Sequence, residues 1–191
     1  MEEPVPLFHK WLDEARATGM REPTAMTLAT VDAEGNPDAR MLLLKGVDEH
    51  GFVFYTNFES PKAQALLNHP RATLCFYWMP LGKQVRVWGP TERVSDEEAD
   101  AYFASRPRLS QIGAWASKQS RPMNGYFELE AEVAKYALKF GIGKVPRPPH
   151  WSGFRLRHDK IEFWTEKPFR RHERILYTRT AEGWQTRWLY P

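Results

Sequence analysis

An α+β fold built around a closed or split β-barrel is the architecture this sequence predicts. Three observations lead there. Many short strand-like runs are separated by turn residues at hairpin spacing. Helical stretches are inserted between them. Strands and helices do not alternate regularly, which argues against a doubly wound parallel sheet. The 191 residues fit a single domain spanning 1–191.

The elements follow in order. Phe8, Trp11, Leu12 and Ala15 recur at helical spacing, and Gly19 can end that helix. Ala25–Val31 reads as a strand, Asp32–Pro37 as a turn, Ala39–Val47 as a second strand, Asp48–Gly51 as a turn and Phe52–Asn57 as a third strand. Ser60 can cap a short helix with Pro61 at its first position, stopping by Asn68–Pro70. Ala72–Trp78 and Gln84–Val94 form a hairpin through Pro80–Gly82. Ser95 and Glu98 make a capping box for a helix to about Ser105. Pro107 disfavours the helical conformation at Arg106, so a break is expected before a second helix over Ser110–Ala116. Leu129, Val133, Tyr136 and Phe140 mark a third helical stripe, ended by Gly141. Strands are expected at Gly153–His158, Ile161–Trp164, Arg170–Thr178 and Trp184–Leu189.

Composition narrows the function classes. The hydrophobic fraction is 42%, enough for a core, and eight Trp leave rings to spare for a ligand. A net charge of +3 suits anionic ligands. Lys and Arg are scattered among acids with no dense basic block, which disfavours nucleic acid. A lone cysteine, Cys75, allows no intrachain disulfide, and the acidic N-terminus lacks an apolar signal core, so a cytoplasmic protein is expected. No apolar run approaches the roughly 20 residues needed to cross a bilayer. Gly141–Lys144 (GIGK) follows a helix rather than a strand and reads as a helix stop, not a phosphate loop. No His/Cys cluster has metal-ligand spacing, and there is no nucleophile elbow.

Three segments carry candidate chemistry. On a strand, Arg170, His172 and Arg174 would line one face, and three stacked cationic groups call for an anion or electron-rich ring against them. A solvated edge strand balanced by Glu173 is the alternative. Tyr102, Arg106 and Ser110, spaced by four, would converge a phenol, a guanidinium and a hydroxyl on one phosphate, or form an ordinary polar helix face. Arg40–Lys45 (RMLLLK) has basic ends and an apolar middle, as a buried strand with snorkelling ends also would.

Taken together, RMLLLK, FYTN (Phe54–Asn57), SRPRLSQIGAWASKQS (Ser105–Ser120), IEFW (Ile161–Trp164), RRHERILY (Arg170–Tyr177) and the terminal WLYP resemble the pyridoxine/pyridoxamine 5'-phosphate oxidase family, in its order and over nearly the whole chain. The resemblance implies a split-barrel homodimer that binds FMN at the subunit interface. It implies that Arg40, Met41, Leu42, Leu43, Leu44 and Lys45 lie along the flavin, largely through backbone, with Arg40 reaching its phosphate. Tyr55, Thr56, Lys62, Gln84, Gln119, Ser120, Trp164 and Arg174 would complete that shell. Lys45, Tyr102, Arg106 and Ser110 would meet the substrate phosphate, and Arg170 and His172 would flank the pyridine ring as the catalytic pair. The implied reaction passes a hydride from the substrate's C4' carbon to flavin N5. Dioxygen then reoxidises the flavin to give hydrogen peroxide, and the amine substrate also releases ammonia. Pro61 stands where members often carry a basic residue, and many relatives carry an N-terminal extension ahead of the first helix. A related split-barrel flavoprotein with another substrate, or a non-catalytic flavin or pyridoxal-phosphate carrier, are the alternatives.

Overall fold

The computed structural model describes residues 3–125 and 127–191, which form ten strands, five α-helices and two 3-10 turns. The elements are α1 (Pro4–Ala17), β1 (Ala25–Val31), β2 (Pro37–Leu43), β3 (Gly46–Asp48), β4 (Gly51–Asn57), α2 (Pro61–Asn68), β5 (Arg71–Trp78), β6 (Lys83–Arg93), α3 (Asp96–Ser105), α4 (Arg108–Ala116), α5 (Glu128–Phe140), β7 (Trp151–Leu156), β8 (Lys160–Thr165), β9 (Glu173–Thr180) and β10 (Gly183–Trp188). The 3-10 turns are Met79–Leu81 and Pro168–Arg170. No helix of the described residues is long and apolar enough to cross a membrane.

The chain divides into two compact units. The first holds residues 1–54, 65–92 and 155–191. Its antiparallel sheet runs in the order β10-β9-β8-β6-β5-β1-β2. Alternation along the strands gives one apolar face: Met26, Leu28, Leu74, Phe76, Val85, Val87, Ile161, Phe163 and Tyr177 are all buried. Helix α1 closes that face with Phe8, whose ring sits edge-on to Phe52 and Phe76 at 4.9 and 5.0 Å. Trp11 packs against Phe163 at 5.1 Å, and Lys83 lies over Trp11 while pairing with Glu14. Two glycines permit a tight closure. A Cβ on Gly51 would fall 2.3 Å from the Leu156 carbonyl oxygen, and one on Gly89 would fall 1.7 Å from that of Arg157. The chain leaving β7 therefore lies directly on the backbones of β4 and β6, which curls the sheet into a half-barrel.

The second unit holds residues 55–64 and 93–154. Its core is Phe103, Ile112, Val145 and Trp151, with Tyr55, Tyr102, Trp115, Tyr136 and Phe140 packed around them. The Ser95 hydroxyl accepts from the Glu98 amide at 3.1 Å, so the capping side of the expected box is formed. Arg106 leaves the helix at φ −73°, ψ 149°, as expected of a residue before proline. Helix α4 starts two residues earlier than expected, at Arg108.

Two strand boundaries differ in ways that matter. The expected strand Ala39–Val47 is two: β2 ends at Leu43, and the Leu44 and Lys45 amides turn to the carbonyls of Thr24 and Val53. The expected strand from Arg170 starts only at Glu173. Phe169 and Arg170 both adopt φ 58°, in the left-handed region, which no β-strand accommodates.

One buried group of the first unit sets a pH limit on stability. His158 is 3% exposed, stacked on Trp184 at 5.4 Å and edge-on to Phe52. An Arg179 N–H donates to its Nε2 at 3.1 Å, so the ring proton sits on Nδ1. Burial pushes the imidazole down to about 4, and the Arg179 charge acts the same way, against Asp48 and Asp159. In the unfolded chain the group titrates near 6.5. As pH falls from about 6.5 to about 4 the unfolded state takes up a proton that the native state refuses, so stability is lost across that window, on the order of 2–3 kcal/mol. The urea midpoint should drop between pH 7 and 4.5 more steeply for the native chain than for His158→Gln. Equal drops would contradict this.

Candidate functional site

The face of the first unit's sheet opposite the core gathers several of the expected residues. Register pairs Gln84 of β6 with Trp164 of β8, and Trp164 with Arg174 of β9. The three therefore form one row across three strands, half-buried and on the same side. This position is forced by alternation, since Val85, Phe163 and Ile175 point the other way. The row behind it pairs Arg86 with Glu162 and Glu162 with Leu176.

Arg174 is tightly held. Its Nε donates to Glu162 Oε1 at 3.2 Å, its Nη2 to Glu162 Oε2 at 3.1 Å and its Nη1 to the Tyr190 carbonyl at 2.8 Å. Glu162 also accepts from Arg86 at 2.7 Å. His172 lies 4.7 Å from the Trp164 ring. The Lys167 amide donates to its Nδ1 at 3.2 Å, which places the proton of the neutral ring on Nε2. Arg170 and His172 thus precede β9, and the face shared by Arg170, His172 and Arg174 on one strand is not formed. Arg170 instead sits in the exposed, left-handed turn, a conformation costing on the order of 1–3 kcal/mol for each such residue.

Arg40–Leu43 lie on β2, which ends the sheet and pairs on one side with β1, and Leu44 and Lys45 follow in the link to β3. Arg40 donates to the Leu28 carbonyl at 3.0 Å and the Thr30 hydroxyl at 2.8 Å, and pairs with Asp38 at 2.5 Å. Met41 is exposed, Leu42 and Leu43 are half-buried, Leu44 is buried, and Lys45 is exposed in the link to β3. An edge strand leaves main-chain donors and acceptors on its outer side, which suits contact with a ligand through backbone.

In the second unit, Lys62 is buried at 8% exposure. Its ammonium donates to Gln119 Oε1 at 3.0 Å, the Ser60 hydroxyl at 3.1 Å and the Thr56 hydroxyl at 3.3 Å. All three acceptors are neutral oxygens, so the charge is solvated by the protein rather than cancelled by them. Gln119 and Ser120 lie exposed in the loop after α4, Ser120 with φ 67°.

Tyr55, Tyr102 and Trp151 form a stack in the same unit. The tyrosine rings are 4.0 Å apart at 14°, and Tyr55 and Trp151 are 5.2 Å apart at 5°. Arg106 lies over Trp151 at 4.8 Å. Its Nη1 is buried with no hydrogen-bond partner among the described residues. Burial lowers its pKa, opposed by Tyr102. A buried guanidinium donor next to a phenol is chemistry suited to an anionic group. The half-buried Ser110 lies in the first turn of α4, where its amide bonds the Pro107 carbonyl at 2.8 Å.

Sequence reasoning did not identify Trp151 or Glu162. Trp151 follows the Pro-rich crossing, where no periodicity marks it. Glu162 shares a strand face with Trp164 at i, i+2, a signal that could have singled it out.

Comparison with known proteins accords with this arrangement. Residues 12–140 match the family model described as pyridoxamine 5'-phosphate oxidase. Residues 151–191 match the pyridoxine 5'-phosphate oxidase C-terminal dimerisation region. A pyridoxine/pyridoxamine 5'-phosphate oxidase of Azorhizobium caulinodans is 57% identical over 192 residues, covering 100% of this chain and 91% of the relative. One from Brucella canis is 58% identical over 191 residues, covering 99% and 94%. Among solved structures, PhzG from Burkholderia lata, in complex with tetrahydrophenazine-1-carboxylic acid, superposes with a TM-score of 0.93 at 31% identity, covering 100% of this chain and 94% of that one. A pyridoxamine 5'-phosphate oxidase-related, FMN-binding protein from Nostoc punctiforme shares the fold at 17% identity and a TM-score of 0.79, with both chains fully covered. The chain therefore belongs to the pyridoxine/pyridoxamine 5'-phosphate oxidase family, a family of oxidoreductases, and has its split-barrel fold.

Proposed function

We propose that this protein is an FMN-dependent oxidase that converts pyridoxine 5'-phosphate or pyridoxamine 5'-phosphate to pyridoxal 5'-phosphate, with dioxygen as acceptor, as a homodimer. The observation that carries this reading is Arg106, whose buried Nη1 has no partner beside a tyrosine and a ring stack. A phosphate supplies the acceptor and the charge that this group lacks. Tyr102, Ser110 and Lys45 are assigned to the same phosphate.

FMN fits the donors present. Lys62, with Thr56 and Gln119, offers a buried cation and polar groups for an anionic cofactor. The edge of β2 from Arg40 to Leu43 offers backbone groups, and Leu44, Lys45, Tyr55, Gln84, Ser120, Trp164 and Arg174 are assigned to the cofactor as well. When bound, FMN supplies the two-electron sink that no ordinary side chain provides and hands the electrons to dioxygen. The protein's own part is to bind, orient and place protons. His172 presents an Nε2 donor, because its Nδ1 is taken by the Lys167 amide. In that tautomer it orients the ring by donating to a substrate acceptor; Nε2 can accept a proton only after its own has left, for example to Nδ1 with loss of the Lys167 bond. Arg170 supplies the cation of the pair from its left-handed turn.

A second reading has its own support. PhzG, 31% identical over this whole chain, was solved with a tetrahydrophenazine carboxylic acid, so a related ring substrate is an alternative. A carboxylate would need less of the Tyr102, Arg106 and Ser110 set than a phosphate.

The FMN-loaded protein should consume oxygen with pyridoxine 5'-phosphate and release hydrogen peroxide and pyridoxal 5'-phosphate in equal amounts. No oxygen uptake with either B6 phosphate, but uptake with a reduced phenazine carboxylate, would favour the second reading. Arg106→Met keeps the stem on Trp151 while removing the charge. It should raise KM by roughly 10–100-fold with kcat nearly unchanged, because a phosphate remote from the reacting carbon is held alike in ground and transition states. The apoprotein should be stabilised by about 1 kcal/mol, since a buried, unsatisfied donor is removed. A normal KM with a destabilised apoprotein would show that Arg106 is structural.

A further inference from the structure

The row of Gln84, Trp164 and Arg174 rests on a second row whose one acidic member is Glu162. Glu162 is 3% exposed although it lies on the face away from the apolar core. Its carboxylate holds two arginines: Arg86, at 2.7 Å, and Arg174, gripped at both Nε and Nη2. The Arg174 guanidinium is fixed from a third direction by the Tyr190 carbonyl, and its own carbonyl accepts from the Leu189 amide at 2.9 Å. A guanidinium has five N–H groups. These bonds use one on Nε, one on Nη2 and one on Nη1, leaving one on each Nη.

We propose that Glu162 is a positioning residue that, with the carbonyl of Tyr190, locks Arg174 so that its two remaining Nη donors meet FMN. This rests on the assignment of Arg174 to the cofactor. An arginine on a flexible stem loses side-chain entropy when it binds a ligand. Here that freedom is already spent in the free protein, by a two-point contact from a buried carboxylate, so cofactor binding needs no reordering of the side chain. The local charge balance supports a role beyond neutralisation. Two arginines share one carboxylate, so the cluster keeps a net positive charge toward its outer side. The geometry also ties Leu189 and Tyr190 to Arg174.

The test is FMN affinity of the apoprotein by flavin fluorescence quenching, with the circular dichroism of the bound flavin and the melting temperature of each variant. Three variants are compared with the native chain. Arg174→Ala removes the ligand itself. Glu162→Gln removes the carboxylate. Glu162→Gln combined with Arg86→Leu removes the carboxylate and one cation together, so the local net charge matches the native cluster and the variant is spared an unneutralised pair.

The Kd for FMN should rise about 10-fold in Arg174→Ala and by a similar factor in both Glu162 variants, in the range expected for a lost charge-assisted contact. The bound-flavin dichroism should change in the Glu162 variants even where melting does not. If the double variant binds FMN within about 2-fold of the native chain, a factor worth well under one hydrogen bond, charge balance alone accounts for Glu162 and the positioning role is overturned. If Arg174→Ala weakens FMN but neither Glu162 variant does, the positioning role falls and the assignment of Arg174 stands. If Arg174→Ala binds FMN normally, the assignment of Arg174 fails and the inference with it.

Discussion

The strict two-residue alternation of β6, β8 and β9 is the constraint on which the rest depends. Val85, Val87, Ile161, Phe163 and Tyr177 must face the core beneath α1. Burying them forces Gln84, Arg86, Glu162, Trp164 and Arg174 onto the opposite face, in two adjacent rows. A slip of one residue in any of these pairings would exchange apolar core for charged side chains, so register is fixed by the hydrophobic effect. The polar rows are therefore placed by the apolar ones. The backbone closure at Gly51 and Gly89 holds the sheet curved, with no side chain to keep the strands apart.

Cations are treated in two distinct ways in this molecule. Arg40 and Arg174 are paired with carboxylates and fixed in place, Asp38 for the first and Glu162 for the second. Lys62 is surrounded by the oxygens of Thr56, Ser60 and Gln119, and Arg106 rests on aromatic rings with a buried nitrogen unused. At Arg106 this costs stability, because burial of the unused Nη1 donor is not repaid by an acceptor among the described residues. Lys62 and Arg106 both lie in the second unit, and both are groups to which the proposed reading assigns a phosphate-bearing ligand.

Much of the fold was legible because its signals are local. Strand-like runs bounded by turn residues marked β1, β4, β5, β6 and β8, the Ser95 cap located α3, and Pro107 broke the chain at Arg106. What failed was also local, but silent. Nothing in Leu43-Leu44-Lys45 marks the break after β2, because the cause is the Thr24 and Val53 carbonyls drawing the backbone aside. Phe169 and Arg170 take a left-handed conformation that neither residue type favours, so the expected strand starts three residues too early and puts Arg170 on a face it does not share. The groups that converge at the candidate sites were hardest to see. Lys62 and Gln119 are 57 residues apart, and Trp151 joins Tyr55 and Tyr102 only through the tertiary packing of the second unit. Family resemblance named many of these residues; the sequence pattern alone could not bring them together.

The central claim is that this chain binds a flavin that takes electrons directly from a phosphorylated B6 compound. Anaerobic titration of the purified, FMN-loaded protein with pyridoxine 5'-phosphate tests it most directly. The flavin absorbance should bleach as substrate is added and return when oxygen is admitted. A flavin that stays oxidised under excess substrate, in protein that binds pyridoxine 5'-phosphate, would contradict the account and leave a carrier in place of an oxidase.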